Sequence, residues 1–253
     1  MTRTRRSAIS SALITATLGV GAQAVAQPHA AAAAAPVYVV GFGDSVPLGH
    51  HCGGCGDLFT LYARSVAAPG APITVVNKAK GNSTSSQALS IMRTASAEAA
   101  VRRATTVVIF TGADDFGSAW RKVSKGGSQK KYYKPLESKV RSNVEKMIDL
   151  AHSLNPAANV AVLDYWGAME DGDVAKKDYT KAQRTAAEAA TDYLNKGLVG
   201  AARHSHAAFV STYHLFKGQN GTGNPTRYLA DDGNHPNATG MHLIVSALDS
   251  ALR

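Results

Sequence analysis

Short apolar runs rich in valine and isoleucine recur at residues 37–42, 73–77, 106–110, 160–164 and 207–211, and they predict five strands. Longer amphipathic or alanine-rich segments separate them. The clearest spans residues 136–154, where Leu136, Val140, Val144, Met147, Ile148, Ala151 and Leu154 recur at steps of three and four and Pro156 ends the pattern. That spacing places one apolar stripe along a helix. Residues 180–198 and 239–252 repeat it. Strands alternating with helices predict a parallel sheet covered on both faces, with the stripes as core. Residues 37–253 show no internal repeat and no linker.

Length and composition fit this frame. A chain of 253 residues, 45% of them apolar, can bury the core of one large α/β domain. Residues 1–26 read differently. Arg3, Arg5 and Arg6 form a basic start, a stretch of apolar and small residues follows, and Ala22-Gln-Ala24 or Ala24-Val-Ala26 offers a small-residue cleavage site. This is the pattern of an export signal, and Arg5-Arg6 keeps a twin-arginine route open beside the general one. Residues 27–36, with their alanine run and Pro36, read as a disordered lead-in to a domain at 37–253. The expectation is a secreted, extracellular, monomeric protein.

The formal net charge is +9, from 27 Lys+Arg against 18 Asp+Glu, and losing three arginines with the signal leaves +6. Much of the excess lies at 121–134, where Arg121, Lys122, Lys125, Lys130, Lys131 and Lys134 mix with glycine and serine. This segment reads as a solvated loop, with transient contact to a lipid surface or an anionic substrate as the livelier alternative. No zinc-finger spacing, basic-leucine heptad or aromatic RNA-binding motif is present, so nucleic acid is not an expected partner.

Candidate chemistry collects at strand ends. The first apolar run closes in Gly43-Asp-Ser45, Gly81 and Asn82 follow the second run, Gly112-Ala-Asp-Asp115 follows the third, and Asp232-x-x-His235 lies beyond the fifth. Ligands bind outside the carboxyl ends of the strands in such sheets, so every candidate falls on one edge. Ser45, His235 and Asp232 supply a nucleophile, a general base and a carboxylate to orient it. At a strand-to-helix turn the serine can also aim its own N–H at a developing oxyanion. Gly41 and Gly43 fit a tight turn that a side chain would crowd. The chain lacks the third glycine of a dinucleotide fingerprint, a phosphate-binding Gly-Lys-Ser/Thr loop, a His-Glu-x-x-His helix and a Gly-x-Ser-x-Gly elbow.

Those same residues, Gly43-Asp-Ser45, Gly81, Gly112-x-Asp-Asp115 and Asp232-x-x-His235, make the chain resemble the SGNH, or GDSL, hydrolases over nearly all of residues 37–253. The resemblance implies a flavodoxin-like three-layer α/β/α sandwich on a five-stranded parallel sheet. It implies Ser45 as nucleophile, His235 as base and Asp232 as its partner, with the N–H groups of Ser45 and Gly81 in the oxyanion hole. The alanine-rich style is similar to secreted actinobacterial esterases and lipases. One position departs. Members carry asparagine, a third oxyanion donor, where this chain has Asp114, and an ionised aspartate cannot donate. Asp114 is then protonated by burial, turned away from the hole, or facing a cationic substrate group; the second account is preferred here. Asp115 reads as a structural hydrogen-bonding residue.

Cys52 and Cys55, in His50-His-Cys-Gly-Gly-Cys55, are the only cysteines, and in an exported chain a local disulfide is the default. A redox pair and a His-His-Cys-x-x-Cys zinc site compete with it. His50 and His51 read as loop residues and His242 as a surface helix position. The functional expectation is a secreted serine esterase that cleaves small or medium carboxylic esters through an acyl-enzyme and needs no metal or organic cofactor. The alternatives are a lipase or phospholipase, a carbohydrate acetyl esterase, and a non-catalytic binder of small molecules on the same scaffold.

Overall fold

β1 (Val37–Gly43) lies at the heart of the sheet because its apolar residues are covered on both sides: Val39, Val40 and Phe42 are fully buried. The structure, a computed structural model, describes residues 34–253, so the expected export signal at 1–26 and residues 27–33 of the expected lead-in lie outside the described residues. After β1 come α1 (Leu58–Val66), β2 (Ile73–Asn77), α2 (Ser85–Met92), α3 (Ala95–Val101) and β3 (Thr106–Phe110). Next are α4 (Ala119–Val123), α5 (Gln129–Leu154), β4 (Asn159–Leu163), α6 (Gly172–Asp178), α7 (Lys181–His204), β5 (Ala208–Val210), α8 (Thr212–Lys217) and α9 (Ala238–Leu252).

The five strands pair in the order β2-β1-β3-β4-β5, all parallel. α1 and α9 pack together on one face of the sheet, and α2, α5 and α7 cover the other. This is the flavodoxin-like three-layer fold. Its chain reverses direction of winding between β1 and β3, which opens a crevice at their carboxyl ends.

Close approach explains two glycines. A Cβ on Gly41 would stand 2.2 Å from the Phe59 ring of α1, and one on Gly43 would stand 2.5 Å from the Phe110 carbonyl oxygen of β3. Both belong to the strand rather than to the turn after it, so packing against α1 and β3, not turn geometry, requires the missing side chain.

The basic segment at 121–134 is mostly helical, with only residues 124–128, Lys125 among them, in a turn between two helices. Arg121 and Lys122 end α4, and Lys130, Lys131 and Lys134 occupy the first two turns of α5, which begins seven residues before the apolar stripe. Ser128 starts α5 by accepting from the Lys131 N–H at 3.3 Å. Tyr133 anchors these turns: fully buried, it donates to the Ala186 carbonyl of α7 at 2.9 Å. The helix therefore begins before the apolar stripe that predicted its start at Leu136, and it continues across Pro135.

Candidate active site

The segment that carries Ser45 is a single 3₁₀ turn, Val46–Leu48, fed directly by β1. Beneath it, the Asp44 carboxylate accepts from the Val46 N–H at 3.1 Å and from the hydroxyl of Tyr165, the second residue after β4. Burial, opposed by those two hydrogen bonds, pushes the Asp44 carboxyl up to about 7. Tyr165 is pushed well above its usual value by burial first and by the Asp44 charge next. This pair ties the Ser45 turn to the far side of β3.

β2 is prolonged past its last residue by hydrogen bonds from the Lys78 N–H to the Gly41 carbonyl at 2.8 Å and from the Lys80 N–H to the Gly43 carbonyl at 2.9 Å. The loop is thereby held alongside Ser45. A Cβ on Gly81 would lie 3.8 Å from the Ser45 Cβ, in ordinary contact. Ser83 Oγ donates to the Gly43 carbonyl at 3.1 Å and fixes the loop from its other end.

After β3, Gly112 adopts φ +128°, a conformation side-chain-bearing residues rarely take, and starts the 3₁₀ turn Ala113–Asp115. Asp115 accepts from the Ser85 N–H of α2 at 2.7 Å and lies 3.3 Å from Lys139 Nζ of α5, so it braces two helices against the turn. Asp114 is half-buried. Burial first, and the Asp115 charge next, push its carboxyl above the usual range, while His235 pulls it down.

The last segment is the tight turn before α9. Ala230 donates to the His235 carbonyl at 2.8 Å, Gly233 donates to the Ala230 carbonyl at 2.9 Å, and Asn237 caps α9 by accepting from Gly240 at 3.0 Å. Within this turn Asp232 Oδ1 accepts from the N–H groups of Asn234 and His235, both at 2.9 Å. Its Oδ2 lies 2.6 Å from His235 Nδ1. Burial pushes the Asp232 carboxyl up, and the hydrogen bonds from the backbone of His235 and Asn234 and from the His235 ring outweigh it, leaving a net downward shift. His235 Nε2 stands 2.9 Å from Ser45 Oγ, joining residues 190 positions apart. Hydroxyl, imidazole and carboxylate form one hydrogen-bonded series.

Cys52 and Cys55 are joined in a disulfide beside this series. In this form neither sulfur is a thiolate that could bind zinc, while a redox couple passes through the same bonded state. His51 is more than a loop residue. Its Nδ1 lies 3.2 Å from Asp232 Oδ2, and its ring stacks on that of His235 with centroids 4.2 Å apart. The ligand atoms of His51, Asp232 and His235 lie within 4.8 Å of one another, close enough to share a cation, although Asp232 and His235 are already hydrogen-bonded to each other there. His242 is exposed on α9, and Asp231 is exposed beside the series without entering it. His51, Asp44 and Tyr165 escaped the sequence reading. Their only signals were an imidazole beside a cysteine, the middle letter of Gly-Asp-Ser, and a polar aromatic at a strand's carboxyl end.

A nucleophile–base–carboxylate series at the switch point of a doubly wound sheet is suited to covalent acyl transfer, which is the chemistry of a serine hydrolase. Residues 42–243 match the GDSL-like lipase/acylhydrolase family, and the chain belongs to that family. It is a carboxylic ester hydrolase acting on small-molecule esters. No curated protein matches the sequence. Solved structures share the fold at low identity. A lipase from a goat rumen metagenome is 17% identical with a TM-score of 0.64, over 85% of this chain and 97% of that one. The extracellular lipase of Streptomyces rimosus is 22% identical with a TM-score of 0.60, over 85% and 99%. A point mutant of an acetyl-xylooligosaccharide esterase from Geobacillus is 18% identical with a TM-score of 0.58, over 85% and 93%.

Proposed function

We propose that this protein is a secreted serine esterase that cleaves small or medium carboxylic esters through an acyl-enzyme on Ser45. The observation that carries the reading is the 2.9 Å approach of Ser45 Oγ to His235 Nε2. His235 takes the hydroxyl proton as Oγ bonds to the carbonyl carbon, and the carbonyl oxygen becomes the oxyanion. The imidazolium then gives that proton to the departing alkoxide, leaving the acyl group on Ser45. Water attacks the acyl carbon with His235 again as base, and release of the acid restores the serine. Asp232, fixed by two backbone N–H groups, holds the Nδ1–H tautomer so that Nε2 is free to accept.

The oxyanion is held by the N–H groups of Ser45 and Gly81. Neither donates to another backbone carbonyl among the described residues, which leaves both free for a ligand. Asp114 turns out of the hole and contributes no hydrogen bond to it. The disulfide and the signal-like residues 1–26 support export, and mass determination of the mature protein from culture medium tests it, with a start just past Ala24 or Ala26 as the expected result.

A fluorescent serine-directed phosphonate tests the mechanism. Labelling of the wild type and none of Ser45→Ala is expected; equal labelling of both would count against Ser45. A p-nitrophenyl ester chain-length series, run beside acetylated xylan and phosphatidylcholine, separates the esterase reading from acetyl-esterase and phospholipase activity. The fastest turnover is expected on short acyl chains.

A further inference from the structure

The carboxylate proposed to orient the catalytic base is shared by two imidazoles. Asp232 Oδ1 is occupied by two backbone N–H groups, and Oδ2 faces both His235 Nδ1 at 2.6 Å and His51 Nδ1 at 3.2 Å. His51 also lies flat on His235, the two ring planes inclined by 14°. One side chain thus makes two contacts with two different members of the series. A surface histidine packed only for cover needs neither the close nitrogen nor the parallel ring.

The backbone that presents His51 is closed at several points. Cys52, the next residue, is buried to 3% exposure within the core, and its N–H donates to the Gly49 carbonyl at 3.3 Å. Cys55 is bonded to Cys52 through sulfur, and its N–H lies 3.1 Å from Cys52 Sγ. Gly49, at φ +70°, brings the Gly56 carbonyl oxygen to where a Cβ would stand, so the two ends of the loop touch. Asp57 then caps α1, accepting from Phe59 and Thr60 at 3.1 Å each. The segment runs from the nucleophile's own turn to α1 with little freedom between.

We infer that His51 is a positioning residue for the proposed Ser45–His235–Asp232 series, held in place by the Cys52–Cys55 disulfide. Its Nδ1 crowds Asp232 Oδ2 at 3.2 Å on the side away from the two backbone donors, which restricts the carboxylate's rotation. Its ring closes one face of His235, so the imidazole cannot swing out of line with Ser45 Oγ during proton transfer. Small misplacements of a base cost much in rate, and the effect belongs in kcat rather than in substrate binding.

The inference rests on the proposed series, and the test separates the two. Kinetics on a short p-nitrophenyl ester, with EDTA present so that no cation bridges the two histidines and Asp232, are measured for wild type, His51→Ala, His51→Asn and His51→Phe. His51→Ala is expected to lower kcat about 10-fold with KM changed by less than about 2-fold. His51→Phe restores a stacking ring and is expected to recover most of the loss, whereas His51→Asn, polar but without a ring, is expected to recover less. Reducing the disulfide is expected to lower wild-type kcat by about the same factor and to leave His51→Ala unchanged. An unchanged kcat in His51→Ala, with phosphonate labelling still dependent on Ser45, overturns the role of His51 alone. Equal losses on reduction in wild type and His51→Ala overturn the tether. Labelling that persists in Ser45→Ala overturns the series itself.

Discussion

By the resemblance, Asp114 stands at the position of a family asparagine that donates to the oxyanion, and in the proposed mechanism its carboxylate is turned away while its charge remains near the reacting centre. If the hole works through backbone N–H groups, Asp114→Asn removes the repulsion and offers a neutral amide that can turn inward as a donor. Turnover on simple esters is then expected to rise about 10-fold or more, measured as kcat at neutral pH. Asp232→Asn is expected to act oppositely, leaving Ser45 and His235 near each other but favouring the wrong tautomer, with kcat falling by roughly 10⁴. At this scale the sequence named Ser45, Asp232 and His235, because a strand-end serine and an Asp-x-x-His turn are local patterns. The Asp44–Tyr165 hydrogen bond joins residues 121 positions apart, and the His51–His235 stack joins two separate loops. Neither leaves a spacing to read.

Helices and strands differed in how fully they could be read. Three of the five strands, β1, β3 and β4, are largely buried apolar runs, β5 is a half-buried edge, and the predicted bounds of all four hold to within a residue or two. β2 is an edge strand with Ile73 exposed, and it too was legible from its β-branched run. The start of α5 was not legible, because Tyr133 secures the turns before Pro135 by tertiary contacts with Phe116 and Tyr193, overriding the local penalty of a proline. Gly41 shows the same dependence on neighbours. Gly41→Ala drives a methyl into the Phe59 ring and is expected to destabilise the protein by about 1–3 kcal/mol, seen as a lowered urea midpoint without loss of the parallel-sheet signature in circular dichroism.

For the molecule as a whole, a buried acid couples folding to pH. Burial lifts the folded-state value of Asp44 from 3.8 to about 7, so between those values the folded chain keeps a proton that the unfolded chain releases. The stabilisation is complete below pH 4 and is lost as pH rises through 7. Asp44→Asn abolishes this dependence. Relative to the variant, the wild type is expected to lose up to about 4 kcal/mol of unfolding free energy between pH 4 and pH 8, measured by urea titration at both. Asp164, lifted to about 6 by burial against its hydrogen bonds to Tyr213, Ser211 and Thr212, adds a slope of the same sign that both proteins share.

By itself the sequence determined the α/β class, the five strands, the stripes that face the core and the residue types able to transfer an acyl group. Each of these is written in short-range periodicity or in a motif a few residues long. Only the tertiary structure decided the strand order that puts the crevice between β1 and β3, the helical state of the basic segment, and the meeting of His51 with Asp232 and His235. Those outcomes depend on which distant surfaces bury each other best, a comparison of packed states that no local pattern along the chain encodes.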